Sequence, residues 1–305
     1  MRTKVRTTTA TLNFLNIKSV LVFPKKGEEK NMSGKMKSRF GLFTSVILAV
    51  LFFSSILPVN PGWVECLGGN YDDYPEYLQA VEDAKVATYD EISKNLVAIV
   101  KDNDNLELQW EGDPGKSRLL VITWTNKSYY DDYVGKDYPL PEDANIWVTV
   151  APELKNFVQE QSQDITALRI EQLLGLPPEG GKTKFIEMWV NPGDLFRPCP
   201  DPEITDHEAE ITFPTILNRF LTFDNRVHII EYDWDKQADV SYTYREWFRH
   251  RRQTIYAGDY PYPWTRLGYT YDWGNTSNHI GLSEFVIPGS STVGINSIIS
   301  NDDYF

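Results

Sequence analysis

The sequence has little cysteine and little histidine, and it lacks several short motifs that mark enzymes and metal sites. Only two cysteines and four histidines occur in 305 residues. A scaffold of several disulfides is therefore excluded, and the hydrophobic core must hold the fold. HExxH, CxxC and Gly-x-Ser-x-Gly are absent, and no two histidines are spaced i, i+4. A histidine-based metal site or a serine nucleophile would have to be assembled from distant segments.

Charge is distributed unevenly along the chain, whose formal net charge is −13. Residues 1–40 carry ten Lys and Arg against two acids, whereas residues 66–305 carry twenty against forty, a net charge of about −20. An acidic body of this size repels phosphate backbones, so nucleic acid is not an expected partner. We expect an uncharged or cationic partner instead, either a carbohydrate or a protein of the cell envelope.

An uncharged run of eighteen residues, 40–57, follows a basic flank and precedes a Pro- and Gly-containing segment. This order predicts a secretory signal peptide. Eighteen residues is also the lower limit for a membrane-spanning helix, so a retained signal-anchor is the alternative. Either one places the acidic body outside the cytoplasm, as a secreted, periplasmic or cell-surface protein. Membrane contact is expected only through residues 40–57, and only if they are not cleaved.

The chain is accordingly predicted to have three parts. Residues 1–39 form a basic leader, residues 40–65 form the signal core or anchor with its exit, and residues 66–305 form a single acidic domain. Met32 and Met36 precede the basic flank, and a start at either would give a signal peptide of ordinary length. Cys66 lies at the exit, where three outcomes are open. It is removed with the leader, lipidated, or bridged to Cys199 in an oxidising compartment.

Hydrophobic periodicity predicts an α+β domain. Residues 118–125 form an apolar run typical of a central strand covered on both faces. Strands at 145–150 and 183–190 enclose two predicted helices, and this order predicts a crossover with at least one parallel pair. We therefore expect a mixed sheet with helices mainly on one side. The other predicted elements are helices at 74–87, 91–100, 152–161, 164–174 and 242–252, and strands at 106–110, 210–213, 227–232, 267–273, 283–287 and 292–299.

Glu187 is the first candidate site residue. It alternates with Phe185 and Trp189 on one face of the strand at 183–190. Burial between aromatic side chains would raise the pKa of its carboxyl group unless a cation pairs with it. The functional interpretation is a general acid or base, and the structural alternative is a buried ion pair with an arginine.

A proline-stiffened segment at 194–210 concentrates carboxylates. An oxygen-only ligand set suits calcium rather than zinc, so a calcium-type site is the functional interpretation. A solvated acidic edge is the alternative. No other cofactor is expected. The candidate ligands are Asp201, Glu203, Asp206 and Glu208.

Ten aromatic residues lie between Tyr244 and Trp273. On the predicted strand at 267–273, three of them share one face. If exposed, they would form a stacking platform for sugars or peptides; if buried, they form a core face. The predicted ligand-binding set consists of Tyr269, Tyr271 and Trp273, with Arg266 and Asp272 as polar anchors.

A basic cluster precedes these strands at residues 244–253. Arg245, Arg249 and Arg252 lie close to one face of a predicted helix. Such a cluster binds an anionic ligand or pairs with the acidic segments of the protein itself.

Three segments, FIEMWVNPGDLFRPCPDPEITD at 185–206, PYPWTRLGYTYDWG at 261–274 and GLSEFVI at 281–287, resemble those of a group of exported bacterial proteins without assigned function. The resemblance covers roughly residues 105–305. It implies export and a single recurring domain, and it implies no activity.

The sequence thus predicts an exported or membrane-anchored domain that binds a ligand or a partner. The irregular segments 126–143, 191–208 and 256–265 would supply the binding surface. One alternative is an extracytoplasmic hydrolase that uses Glu187 and the acids at 201–208. Another is a structural or toxin-neutralising partner protein that acts only through its surface.

Overall fold

The computed structural model describes residues 71–161, 165–214, 227–233, 236–257 and 260–304. These residues all fall within one compact unit of the chain, Pro58–Phe305. The predicted leader, the signal segment and Cys66 lie outside the described residues. Within the described ranges, no helix has the length and apolar character needed to cross a membrane.

A six-stranded sheet forms the centre of the domain, and two hairpins lie beside it. The sheet order is β2-β10-β4-β1-β3-β9, and β5 pairs with β6 as β7 does with β8. The strands are β1 (Leu119–Thr125), β2 (Asp137–Pro139), β3 (Ile146–Val150), β4 (Lys184–Val190), β5 (His228–Asp233), β6 (Ala238–Thr243), β7 (Tyr269–Tyr271), β8 (Ile280–Ser283), β9 (Phe285–Ile287) and β10 (Thr292–Ser300). The helices are α1 (Pro75–Asp83), α2 (Ala151–Glu160), α3 (Ala167–Leu173), α4 (Tyr244–Thr254) and α5 (Asn301–Tyr304).

The predicted mixed sheet with a parallel crossover is wrong, because every hydrogen-bonded pair among the described strands is antiparallel. The chain does pass from β3 through α2 and α3 to β4. However, β1 lies between these two strands and pairs with both, as Val121 opposes Val150 on one side and Met188 on the other. The crossover therefore joins strands that are not neighbours.

Both faces of β1 are covered, as its continuous apolar run predicts. On one face, Val121 packs with Val97 and Leu140 from irregular segments. On the other face, Ile122 packs with Leu154 of α2. We call the second surface the helix-covered face. At its edge, Trp147 of β3 packs with Trp247 of α4.

Local signals fix where these helices begin and end. The Thr166 hydroxyl accepts a hydrogen bond from Arg169 N (3.2 Å) and caps α3. Gly175 follows that helix with φ +62°, and a Cβ there would lie 3.2 Å from the backbone of Tyr271. Only glycine combines this conformation with so close an approach. The segment after α3 is thereby held against β7.

The predicted helix at 91–100 is wrong beyond a single 3₁₀ turn at Tyr89–Glu91. Leu96 N donates to His207 O (3.0 Å) and Ile99 N donates to Ile204 O (2.6 Å). These long-range hydrogen bonds pair backbone N–H groups of residues 96–99 with residues 204–207, so the segment is extended rather than helical. The strand predicted at 106–110 is reduced to one bridge, Trp110 to Leu119, and residues 210–213 do not form a strand.

Candidate functional site

A cavity of about 330 Å³ lies between the helix-covered face and the segments that approach it from outside. Its floor includes Ile122 of β1 and Trp147 of β3, and its opposite wall includes Leu176 and Trp264. Binding sites for small molecules commonly occupy roughly 300–1,000 Å³, so the volume suits a small organic ligand.

Aromatic rings make up much of the cavity wall. Trp147 and Trp264 meet edge to face, with ring centroids 5.9 Å apart, and both line the cavity together with Tyr262 and Tyr129. Trp264 is only 4% exposed, and Phe248 of α4 packs behind it at 5.0 Å. These packed rings give the cavity fixed apolar surfaces.

Three side chains of the cavity wall carry a buried polar atom that has no hydrogen-bond partner among the described residues. They are Arg251 (Nε), Trp264 (Nε1) and Glu284 (Oε2). An unpaired buried polar group costs about 1–3 kcal/mol, so such groups are rare and call for a physical reason. Five other side chains of the described residues carry such an atom away from the cavity: Asn103, Arg197, Glu210, Arg266 and Tyr304.

Arg251 enters the cavity wall from α4. Its Nη1 lies 3.7 Å from Oε1 of Glu231, beyond hydrogen-bond distance. That carboxylate instead accepts a hydrogen bond from Trp247 Nε1 (2.9 Å). The guanidinium carbon stands 5.9 Å from the centre of the Trp147 ring. Arg251 is thus positioned by stacking and by a long ion pair, while its N–H groups form no hydrogen bond with the described residues.

Glu284 lies between β8 and β9, where its backbone N donates to Gly268 O (2.9 Å). Burial raises the pKa of its carboxyl group well above the ordinary value, and the charge of Arg251 only partly opposes that rise. The neutral acid is therefore favoured.

Lys182, just before β4, is the remaining charged residue of the cavity wall. Burial lowers the pKa of its ammonium group, and the Glu171 carboxylate opposes that shift. Glu171 itself accepts hydrogen bonds from the backbone N atoms of Glu179 (3.0 Å) and Gly180 (2.7 Å). The Lys182 ammonium group has no hydrogen bond and no ion pair within 4.0 Å in the described part of the chain.

Glu187 lies away from this wall, although it is on the helix-covered face. The residue is 9% exposed, and its carboxylate accepts hydrogen bonds from Asn296 Nδ2 (2.9 Å) and Ser297 Oγ (2.6 Å). Both donors come from β10, at a break in its register with β4. Glu187 is not among the residues that line the cavity, and no arginine among the described residues pairs with it.

The aromatic ladder forms a core face rather than an exposed platform. The rings of Tyr269 and Trp273 are buried. Tyr269 OH donates to Glu91 O (2.8 Å), and Trp273 Nε1 donates to Leu176 O (3.1 Å). Tyr77 of α1 packs on Trp273, with centroids 5.5 Å apart. Helix α1 therefore covers the aromatic surface that the sequence predicts as a stacking platform for sugars or peptides.

The remaining members of this predicted set also have partners within the protein. Tyr271 OH donates to Asp83 (2.8 Å), and Asp272 accepts two hydrogen bonds from Arg169, at 2.8 and 2.7 Å. Arg266 is buried and donates to Ala84 O (3.0 Å). Of the predicted set, Tyr269 and Tyr271 also border the cavity.

The acidic segment is tied to basic and polar groups of the protein. Asp206 pairs with Arg197 (2.8 Å), and Glu208 pairs with Lys94. Asp201 accepts a hydrogen bond from the backbone N of Glu203 (3.2 Å). Across the described ranges, no group of three or more His, Cys, Asp or Glu side chains is arranged to hold a metal ion. The proposed calcium ligands do not converge there.

Cys199 is buried beside this segment, and its thiol donates to Asp201 O (2.6 Å). Burial raises the pKa of the thiol well above its usual value, which makes it a poor nucleophile.

Sequence reasoning missed Arg251 and Glu284 as site residues. A usable signal exists for Glu284, since it is a lone carboxylate in the strand-forming segment LSEFVI, as Glu187 is in FIEMWV. Arg251 is one of four arginines in α4, and the spacing drew attention to Arg245, Arg249 and Arg252 instead. Arg249 and Arg252 are exposed, and Arg245 stacks on Phe213 at 4.5 Å.

Comparison of the chain with protein-family models, with curated proteins and with solved structures finds no match.

Proposed function

We propose that this protein is a ligand-binding domain that acts outside the cytoplasm and takes a small organic molecule into the cavity. The observation that carries the proposal is that Arg251, a residue of the cavity wall beside Trp147 and Trp264, has a side chain that is 31% exposed and forms no hydrogen bond with the described residues. A ligand with oxygen atoms would accept hydrogen bonds from the terminal N–H groups of Arg251, and its carbon skeleton would lie against the tryptophan rings. The predicted signal segment at residues 40–57 supports a location outside the cytoplasm.

The hydrolase alternative has less support. Glu187 and the acids at 201–208 do not line the cavity. Each of these carboxylates forms a hydrogen bond or an ion pair with a neighbouring side chain or with the backbone. A carboxylate-based mechanism needs two carboxyl groups flanking the bond to be cleaved. Glu284 is the only carboxyl group among the described residues that line the cavity.

The proposal can be tested by ligand screening of the full chain, with tryptophan fluorescence and thermal unfolding as readouts. The screen would contain monosaccharides, small hydroxylated aromatics and aromatic carbonyl compounds. Because Trp147 and Trp264 line the cavity, a bound ligand should change the fluorescence and raise the unfolding temperature. Trp264→Phe replaces the indole of the cavity wall with a smaller ring and leaves a gap beside the ligand, so it should weaken binding about tenfold.

Trp110→Phe is the matched control, since Trp110 is not among the lining residues. Binding that Trp264→Phe and Trp110→Phe reduce equally would place the ligand elsewhere. A screen in which nothing binds, with these neutral compounds and with aromatic carboxylates alike, would contradict the proposed function.

A further inference from the structure

The charge lining the cavity is opposite in sign to that of the protein as a whole. Residues 66–305 have a net charge of about −20, yet the charged residues that line the cavity are Lys182, Arg251 and Glu284. Two of the three are basic. The local field around a bound molecule depends on these nearby groups more than on the distant surface acids, which salt screens.

Arg251 differs from other arginines of similar exposure. The side chains of Arg118 and Arg169 are 25% and 26% exposed, and each is hydrogen-bonded to carboxylate at 2.6–2.8 Å. The side chain of Arg251 is 31% exposed and has only the 3.7 Å ion pair with Glu231. Its hydrogen-bonding capacity is the largest left unused in the cavity wall, because a guanidinium carries five N–H donors.

Glu284 does not neutralise Arg251 by forming an ion pair. No oxygen of Glu284 lies within 4.0 Å of a basic group in the described structure, and burial favours its protonated form.

We propose that the cavity binds a small organic monocarboxylate, with the carboxylate held by Arg251 and the carbon skeleton placed against Trp147 and Trp264. This inference rests on the proposed function and names its ligand class. A planar carboxylate matches the fork of N–H donors on a guanidinium. A doubly charged phosphate is disfavoured because the Glu231 carboxylate is only 3.7 Å from Arg251. Lys182 supplies a second, weaker attraction.

The test compares acids with their uncharged amides. Benzoate, phenylacetate and 3-phenylpropionate would be titrated into the full chain at about pH 7.5, where phenyl phosphate is doubly charged, alongside the matching amides and phenyl phosphate, and followed by calorimetry and tryptophan fluorescence. We expect at least one carboxylate to bind, and its amide to bind at least tenfold more weakly. Arg251→Gln should weaken carboxylate binding at least tenfold, and Lys182→Met should weaken it several-fold.

Arg249→Gln is the matched control, because Arg249 is exposed on the same helix and does not line the cavity; it should leave the affinity within twofold. Equal binding of acid and amide, or tighter binding of phenyl phosphate, would overturn the inference while leaving the proposed function intact. The absence of carboxylate binding would also overturn it. If the screen of neutral compounds is empty as well, both proposals fail. The comparison of acid with amide needs no variant, so it stands even if Arg251→Gln does not fold.

Discussion

The guanidinium groups of Arg197 and Arg251 both lie near an aromatic ring, Phe285 and Trp147 respectively, but their surroundings differ. Arg197 has no exposed surface, and its terminal nitrogens donate to Asp206 Oδ1 (2.8 Å), Asp206 O (2.9 Å), Glu208 O (2.6 Å) and Val97 O (3.1 Å). Arg251 donates no hydrogen bond within the described part of the protein. The first arginine therefore holds several segments together, whereas the second contributes no hydrogen bond to the described structure, although the Nε of each is unpartnered there.

Two carboxylates, Glu153 of α2 and Glu284, repeat this contrast at neighbouring positions in space. Glu153 accepts hydrogen bonds from Ser283 N (3.1 and 3.0 Å), Ser283 Oγ (3.0 Å) and Thr149 Oγ1 (3.0 Å). Glu284, the residue after Ser283, has an oxygen without a partner among the described residues. The same residue type thus stabilises the fold on one side of the segment and remains unsatisfied on the cavity side.

The strongest test of the contrast is the substitution Arg197→Met. It leaves three backbone carbonyl groups without their donor, together with the Asp206 carboxylate, whose side chain is 43% exposed. Each buried acceptor left unsatisfied costs about 1–3 kcal/mol, so we expect a loss of at least about 3 kcal/mol. Urea unfolding should show that loss in the free energy of unfolding. A loss below about 1 kcal/mol would mean that Arg197 does not hold its neighbours in the way the hydrogen bonds indicate.

The second test replaces each carboxylate with leucine. Glu153→Leu removes the acceptor for a backbone N–H and two hydroxyl groups, so we expect a loss of about 1–3 kcal/mol. Glu284→Leu removes a group that lacks a full set of partners, so the free energy of unfolding should stay the same or increase. The free energy of unfolding of both variants would be measured by urea unfolding. Equal losses would show that the two carboxylates contribute equally to stability.

The third test uses pH. In the unfolded chain Glu284 titrates near its ordinary pKa of 4.5, whereas burial raises its pKa in the native state. Above pH 4.5 the native state therefore binds more protons, and its stability falls as pH rises towards the native pKa. Glu284→Gln cannot titrate, so its stability advantage over the wild type should grow across that range by at most about 1.4 kcal/mol per pH unit.

Thermal unfolding of both proteins from pH 4 to pH 8 measures this difference. Other buried carboxyl groups, among them Glu153 and Glu171, titrate in both proteins and cancel in the comparison. A difference that does not change with pH would show that the Glu284 pKa is not raised by the fold.

The smallest effect is expected for Arg251→Gln without ligand. The substitution removes the stacking on Trp147 and the long ion pair with Glu231, each worth about 0.5–1 kcal/mol at most. The urea midpoint should therefore be close to that of Arg249→Gln. A loss comparable to that of Arg197→Met would show that Arg251 is a structural residue.

Much of the sheet is predictable because its central strands carry their own signal. The apolar runs that form β1, β3 and β4 are long and rich in β-branched residues, and each strand forms within two residues of its predicted bounds. Residues 91–100 also contain apolar residues at helical spacing, but hydrogen bonds to residues 204–207 keep them extended. Those partners lie more than a hundred positions away, so local periodicity could not reveal them.

The candidate site shows the same limit. Glu187 and Glu284 are indistinguishable in sequence, since each is a carboxylate within an apolar strand segment. Glu187 is satisfied because the irregular register of β10 places Asn296 and Ser297 beside it. Likewise, the aromatic ladder is buried because α1 packs on it. Whether a carboxylate or an aromatic ring finds a partner therefore depends on segments that are distant in sequence, and neither residue spacing nor composition shows which segments these are.

The position of β10 in the sheet has a consequence for biogenesis. This strand pairs with both β2 and β4, so the edge of β4 stays unpaired until residues 292–300 have been synthesised. Pairing between segments so distant in sequence is slow to form. The emerging chain therefore remains open for much of its synthesis. Until β10 pairs with it, the edge of β4 exposes unpaired backbone groups, and open strand edges of this kind promote aggregation of incompletely folded chains.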